Sequence, residues 1–244
     1  MHIVPGLLIA GGVVLLIAFA FFWWGRSSML KAKRIEDTPT TPCRNVTDGF
    51  VEVKGRVKGA ARLLTSPLAK RPCVYYRFHV EEHVQRGKNS YWRTVVDDKQ
   101  CCGLLIDDAS QSPVIVNLMG ADLHLKPDTH ARSGFMKDAP PEFEATLAEY
   151  GRSSQGLIFN KTMRYSETIL EEGDELYVLG TAQREPGGKV TIDKGNDLFI
   201  VSDQSEEQLT RGFHNRKLGG FITAGVLGAG GLVLCIMSVA SRSF

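Results

Sequence analysis

Hydrophobic positions follow one pattern at the two ends of the chain and another in the middle. Ile3 to Trp24 and Leu218 to Ala240 are long apolar runs without a charged residue. Crossing roughly 30 Å of hydrocarbon takes about 20 such residues in a helix, so each run is predicted to be a transmembrane helix. The first reads as a retained anchor, not a cleaved signal. Only Met1 and His2 precede it, neither of them basic, and Phe21-Phe22-Trp23-Trp24 follows the Ala18-Phe19-Ala20 pattern where a signal would be cut. The two tryptophans, close to Arg26, fit an interfacial belt.

Between the ends the period shortens to two. Phe50 to Val57 alternates apolar with charged residues, as a half-buried strand does. Further strands are predicted at Cys73–Val80, Trp92–Val96, Gly103–Asp107, Val114–Leu118, Leu157–Phe159, Glu175–Ala182, Val190–Ile192 and Leu198–Val201. The segment from Asp108 to Pro113 turns one hairpin, and Pro186-Gly187-Gly188 turns another. Phe143, Leu147 and Tyr150 fall at helical spacing after Pro141, which predicts one inserted helix. From Ser205 a helix start leads without a break towards the second apolar run. The expected organisation is transmembrane helix 1 over 1–25, a connector over 26–47 broken by Pro39 and Pro42, and a β-rich domain over 48–203. A juxtamembrane helix over 204–217, transmembrane helix 2 over 218–240 and a tail over 241–244 follow. The fold class is mainly β, a small barrel or sandwich with one inserted helix, between two transmembrane α-helices.

Charge narrows the functional classes. All 27 acidic residues lie between the apolar ends, as do 28 of the 29 Lys and Arg, the exception being Arg242. A middle so nearly balanced has no positive field to draw in a phosphate backbone, so no nucleic-acid partner is expected. Arg26, Lys31, Lys33 and Arg34 follow the first run, and Arg211, Arg216 and Lys217 precede the second. Basic residues beside a span favour the cytoplasmic side, which places the β domain in the cytoplasm.

Candidate chemistry is thin. His79-Val80-Glu81-Glu82-His83 fits the H-x-x-E-H pattern of zinc peptidases, whose chemistry needs a helix to bring both imidazoles to one ion. Here the segment reads as a strand, where four residues span roughly 13 Å. A membrane hydrolase using His79 and His83 is therefore only an alternative. Cys43, Cys73, Cys101 and Cys102 contain no C-x-x-C and read as buried residues or free thiols, with two disulfides as the alternative in an oxidising compartment. Asp97-Asp98 and Asp107-Asp108 read as turn markers at strand ends. No phosphate loop, nucleophile elbow or dinucleotide fingerprint is present, and no catalytic residue, metal or cofactor is expected. Gly220, Ala224 and Gly228 recur at four-residue spacing and form a candidate helix-packing face, between the two helices or between copies of the chain.

A succession of short motifs runs through the middle. Val51-Glu52-Val53-Lys54-Gly55 is followed by Leu64-Thr65-Ser66-Pro67, then Cys73-Val74-Tyr75-Tyr76, then the block Tyr165 to Gly180 with Glu167, Gly173, Asp174 and Gly180. Between two apolar helices, this resembles the GIDE domain, or domain beside the membrane, of the mitochondrial RING-type ubiquitin ligases and their prokaryotic relatives. The resemblance covers about Ile35 into the second helix. In those ligases a RING finger with about eight zinc ligands follows the second membrane helix. In this sequence no Cys or His follows Cys235, so the expectation is a RING-less, prokaryotic-type member without ligase activity of its own. With no active site in the sequence, the expected function is that of a non-enzymatic, membrane-anchored binding or scaffold protein, and the resemblance implies a bacterial inner membrane and a role in membrane or envelope stress and quality control. Membrane lipid and a second copy are expected partners from the apolar helices and their small-residue face, and the resemblance adds a LemA-type membrane protein. An accessory subunit of a ligase-like system is the alternative. The mitochondrial relatives hold this domain in the intermembrane space, the counterpart of the periplasm, against the charge argument.

Overall fold

The computed structural model describes residues 5–133, 139–156 and 160–240. The predicted strand at Leu157–Phe159 and the tail at 241–244 lie outside the described residues. The chain divides into two compact units, one of residues 1–39 with 205–244 and one of residues 40–204.

The first unit is an antiparallel helix pair, α1 (Pro5–Glu36) and α3 (Glu206–Ala240). Both are long and apolar enough to cross a membrane, with mean hydropathy of 2.5 and 2.1 over their most apolar windows. The connector predicted from residue 26 begins later than expected. Met29-Leu30-Lys31-Ala32-Lys33-Arg34 are strong helix formers, so α1 continues to Glu36. It ends where the Thr38 hydroxyl donates to the Arg34 carbonyl (2.7 Å), one residue before Pro39. The segment 206–217 and the second apolar run form the single helix α3, as the sequence implies.

Glycines let the two helices approach. A Cβ at Gly220 would stand 2.8 Å from the Cα of Gly25, and one at Gly11 would stand 3.0 Å from the Gly231 carbonyl oxygen. Phe22 and Phe221 pack beside this contact, ring centroids 5.6 Å apart. Gly228 is different: nothing lies within 4 Å of its Cβ position, so it is off the α1–α3 seam, and Gly231 takes the place that spacing assigned to it. Ala224 stays half-buried. Gly220→Leu is expected to destabilise the helix pair by about 1–3 kcal/mol, because backbone must move, whereas Gly228→Leu changes it by less than about 0.5 kcal/mol. Thermal unfolding of the two variants in one detergent checks this, and a Gly228 effect as large as the Gly220 effect would contradict it.

The second unit holds thirteen strands among its described residues. They are β1 (Gly49–Gly59), β2 (Leu64–Thr65), β3 (Pro72–Cys73), β4 (Tyr75–Arg86), β5 (Asn89–Cys101), β6 (Leu104–Asp107) and β7 (Val114–Val116). After these come β8 (Asp122–His124), β9 (Thr129–Ser133), the helix α2 (Pro141–Glu149), β10 (Met163–Leu170), β11 (Glu175–Arg184), β12 (Val190–Asp193) and β13 (Ile200–Ser202). A 3₁₀ turn, Cys43–Asn45, precedes β1.

Five strands close a barrel. β1 pairs with β11 on one side and with β6 on the other, and β6–β7–β12–β11 completes the ring, with β12 and β7 parallel. Both predicted hairpins, β6–β7 and β11–β12, are present. Val53, Val57, Leu104, Ile106, Val178 and Ile192 fill the interior. A second sheet, in the order β5-β4-β10-β9, carries α2 on one face. Phe143 and Leu147 of α2 press on Phe78, Val80, Met163 and Tyr165, and the Phe143 and Tyr165 rings meet edge-on at 5.3 Å.

Two sequence readings need correction. The acidic pair Asp97-Asp98 lies inside β5, which runs past Val96 to Cys101, so it marks no turn. Asp98 accepts the hydroxyls of Tyr76 (2.9 Å) and Tyr150 (2.7 Å), fastening the end of α2 to the sheet. Burial, and then this shared carboxylate, hold both phenols well above their ordinary range. Second, the charged positions of β1 do not all face water. Glu52 is wholly buried, accepting from Tyr177 (2.7 Å) and Thr40 and pairing with Lys54 (3.2 Å).

Candidate functional site

The residues that carry the family resemblance build the frame between barrel and second sheet. Glu167 is fully buried in β10, and its two carboxylate oxygens accept the backbone N–H groups of Leu68 (2.7 Å) and Ala69 (2.9 Å). The loop after Pro67 is thereby fixed to the second sheet. Gly173 (φ +94°) turns the chain from β10 to β11, and its N–H donates to the Val57 carbonyl (2.9 Å). Asp174 caps the same turn, one oxygen accepting from the Glu171 N–H (2.8 Å). Gly55 lies near the point where β1 passes from pairing with β11 to pairing with β6. Gly180 leaves room for Phe199 and Ile192, either of which a Cβ would meet at under 3 Å. Cys73 is buried in β3. Asp174, the most exposed carboxylate among these seven, is half-buried and already accepts the Glu171 N–H. The seven specify the fold.

The thiols carry no reactive signature either. Burial pushes Cys43 and Cys73 up to about 11, away from the thiolate that nucleophiles and metal ligands need. Cys43 and Cys73 are buried, Cys102 half-buried and Cys101 exposed, and all are free thiols. Among the described residues, no three His, Cys, Asp or Glu side chains gather as a metal site.

His79 and His83 lie on strand β4, as the period-two pattern of Val74, Tyr76, Phe78 and Val80 predicts for this segment, with a bulge between them at Val80/Glu81. His79 faces Thr94 (3.4 Å) and Glu81 (3.9 Å), and the His83 ring packs 5.1 Å from Trp92. Strand register also sets Ser166, His79 and Asp97 side by side, a row with the residue types of a nucleophilic triad. The hydrogen bonds run elsewhere. Ser166 donates to the main-chain oxygen of His79 (3.4 Å), and Asp97 is chelated by Arg77 at 2.7 and 3.1 Å. The row therefore does not work as a triad: neither the Ser166 hydroxyl nor the Asp97 carboxylate is paired with the imidazole.

What remains is a surface. The open face of the second sheet carries Arg164 paired with Glu81, His130 and Arg132 on β9, and Trp92 under the Arg164 guanidinium at 4.3 Å. The Arg164 hydrogen bond holds the Glu81 carboxyl below its usual range. At the margin runs β5, thirteen residues long, paired with β4 on one side and with no strand on the other among the described residues. Tyr91, Trp92, Arg93 and Thr94 are all exposed there, Tyr91 at 48%. Asn89-Ser90-Tyr91-Trp92 is a polar-aromatic strand start with no apolar alternation, and it gives no hint of which edge lies free.

A family model described as "GIDE: E3 Ubiquitin ligase" matches residues 75–235. Glu167, Gly173, Asp174 and Gly180 lie inside that stretch, while Gly55, Pro67 and Cys73 precede it. Among curated proteins and among solved structures, nothing matches the chain. The matched stretch is more than half of the sequence, and it takes in the second sheet, most of the barrel strands and most of α3. The chain belongs to the GIDE family.

Proposed function

We propose that this protein is a membrane-anchored, non-enzymatic binding or scaffold module, and that its partner adds a strand to the free edge of β5. The observation that carries this is the edge itself. Long exposed edges invite pairing, and natural sheets usually blunt them with charge, proline or cover. The stretch from Asn89 to Thr94 has one charged residue, Arg93, and that charge is bound to Glu82 (2.6 Å). Main-chain hydrogen bonds would supply affinity, and Tyr91 with the Trp92–Arg164 pair would supply side-chain selectivity. The bulge near Val95 confines the receptive half to the hairpin tip.

The test is purification of the full chain from solubilised membranes, wild type beside a Tyr91→Lys/Thr94→Lys variant. Both positions are exposed, so thermal unfolding should not change. The co-purifying partner should fall by about tenfold or more, the loss that roughly 1.4 kcal/mol produces. Undiminished partner yield would overturn the edge as the docking site. A LemA-type membrane protein and a second copy of this chain are the first partners to look for, with envelope stress and quality control as the setting.

The family description favours a second reading, an accessory subunit of a ligase-like system. A reconstituted ubiquitin-transfer reaction separates the two readings from intrinsic catalysis: with this chain as sole ligase, no product above background is expected. We place the protein in a bacterial inner membrane from its resemblance to prokaryotic members of the family, and the β domain on the cytoplasmic side from the seven basic residues Arg26, Lys31, Lys33, Arg34, Arg211, Arg216 and Lys217. Paired topology reporters fused at Phe244 test this orientation, and a reporter active only in the cytoplasm would reverse it.

A further inference from the structure

A cleft on the barrel is independent of the β5 edge. It encloses about 530 Å³ beside the β6–β7 hairpin, within the roughly 300–1,000 Å³ of small-ligand pockets. Its floor is apolar. Leu105 and Ile115 pair directly across the hairpin and stay half-buried, and Val190 of β12 extends the same surface. Its rim is basic, formed by Arg44, Arg184 and Lys189, all exposed. Among the described residues, no Asp or Glu lines it. The carboxylates of Asp48, Asp108 and Glu185 stand close by in the chain but outside the lining, and each already accepts a hydrogen bond; that of Glu185 takes the Thr191 hydroxyl (2.6 Å). Asp108 accepts the N–H groups of Cys43 (2.8 Å) and Ser110 (3.0 Å), and Asp48 accepts the Arg184 N–H (2.6 Å). One guanidinium nitrogen of Arg184 donates to the Val46 carbonyl (3.1 Å), which holds that side chain at the mouth.

Three cations meet at the mouth while the neighbouring carboxylates are turned to main-chain and threonine donors, so an anion entering the cleft would be drawn to the rim. An inorganic anion would satisfy the rim and leave Leu105, Ile115 and Val190 wet. An apolar ligand would cover the floor and leave the cations uncompensated. A ligand with one acidic head and one apolar tail satisfies both. We propose that this cleft binds a single-chain anionic amphiphile. The carboxylate or phosphate head is held by Arg44, Arg184 and Lys189, and the tail lies along Leu105, Ile115 and Val190. The arginine forks suit both kinds of head, so a free fatty acid and a lysophospholipid are the two sources of this chemistry.

The experiment uses the full chain in phosphatidylcholine nanodiscs and a diazirine-bearing lauric acid, with labelled peptides mapped by mass spectrometry. Labelling is expected on the peptides that contain Leu105, Ile115 and Val190, and at least about tenfold less from the matching alkylamine, which reverses the head charge. Oleate and lysophosphatidic acid should each displace the probe, and inorganic phosphate should not. An Arg44→Glu/Lys189→Glu variant, altered only at exposed positions, should lose the labelling while keeping the wild-type unfolding temperature. Ile115→Trp, which fills the floor, should lose it too, and should that variant fail to fold the charge-reversed pair decides. Labelling confined to α1 and α3, labelling that survives charge reversal, equal labelling by the amine, or displacement by inorganic phosphate would each overturn the proposal.

Discussion

Glu167→Ala is expected to destabilise the β domain by about 3 kcal/mol, one of the two largest effects foreseen for a single substitution. The carboxylate lies wholly inside the protein and is the acceptor for two backbone donors, Leu68 N–H and Ala69 N–H. Alanine leaves both without that partner, at roughly 1–3 kcal/mol for each buried group stranded, and opens a cavity besides. Glu167→Gln should cost less, about half as much, because one oxygen still accepts while the amide turns a donor towards a donor. Chemical denaturation of the two variants under identical conditions checks the order. Equal losses for Ala and Gln would show that volume, and not the paired acceptors, is what Glu167 provides.

Gly55→Val should be comparably severe, about 3 kcal/mol, for a different reason. A Cβ at Gly55 would stand 2.6 Å from Ile106 Cγ2 and 2.9 Å from the backbone of Asp107. The isoleucine methyl could shift, but the β6 backbone is held in the ladder with β1 and β7, so relief must open the barrel seam. Gly173→Ala is the informative companion. Its φ of +94° disfavours any side chain, yet nothing lies within 4 Å of its Cβ position, so only the backbone strain of about 1–2 kcal/mol is expected. A Gly55 variant no less stable than the Gly173 variant would contradict the close approach of β1 and β6.

The elements most legible in the sequence are those whose residues obey a single period. Phe143 and Leu147 mark α2, Pro186-Gly187-Gly188 marks the β11–β12 turn, and the uncharged end runs mark α1 and α3. β10 was hidden by the residue that matters most in it. Its buried positions are Met163, Tyr165, Glu167, Ile169 and Leu170, and a carboxylate in the third place breaks the apolar alternation. Glu52 misleads in the same way within β1, where alternation alone turns every charge to water. β8 and β2 are too short to show a period. Small-residue spacing found Gly220 but also chose Gly228, since four-residue spacing cannot tell which of several parallel stripes meets the neighbouring helix. The family block was readable as a block, and its role as frame became clear only with the hydrogen bonds of Glu167, Gly173 and Asp174. The free edge of β5 was not legible at all, because strand order is a property of the assembled sheet.

The central claim, that this chain works by offering the β5 edge to a partner, is tested most directly by photo-crosslinking in intact cells. Benzoylphenylalanine is placed at Tyr91, near the hairpin tip, or at Met119, which is 81% exposed on the barrel. Irradiation should give one discrete, heavier product from the Tyr91 position and none from the Met119 position, and the product should disappear when Thr94 is changed to Lys. No product at Tyr91, or equal products at both positions, would contradict the account.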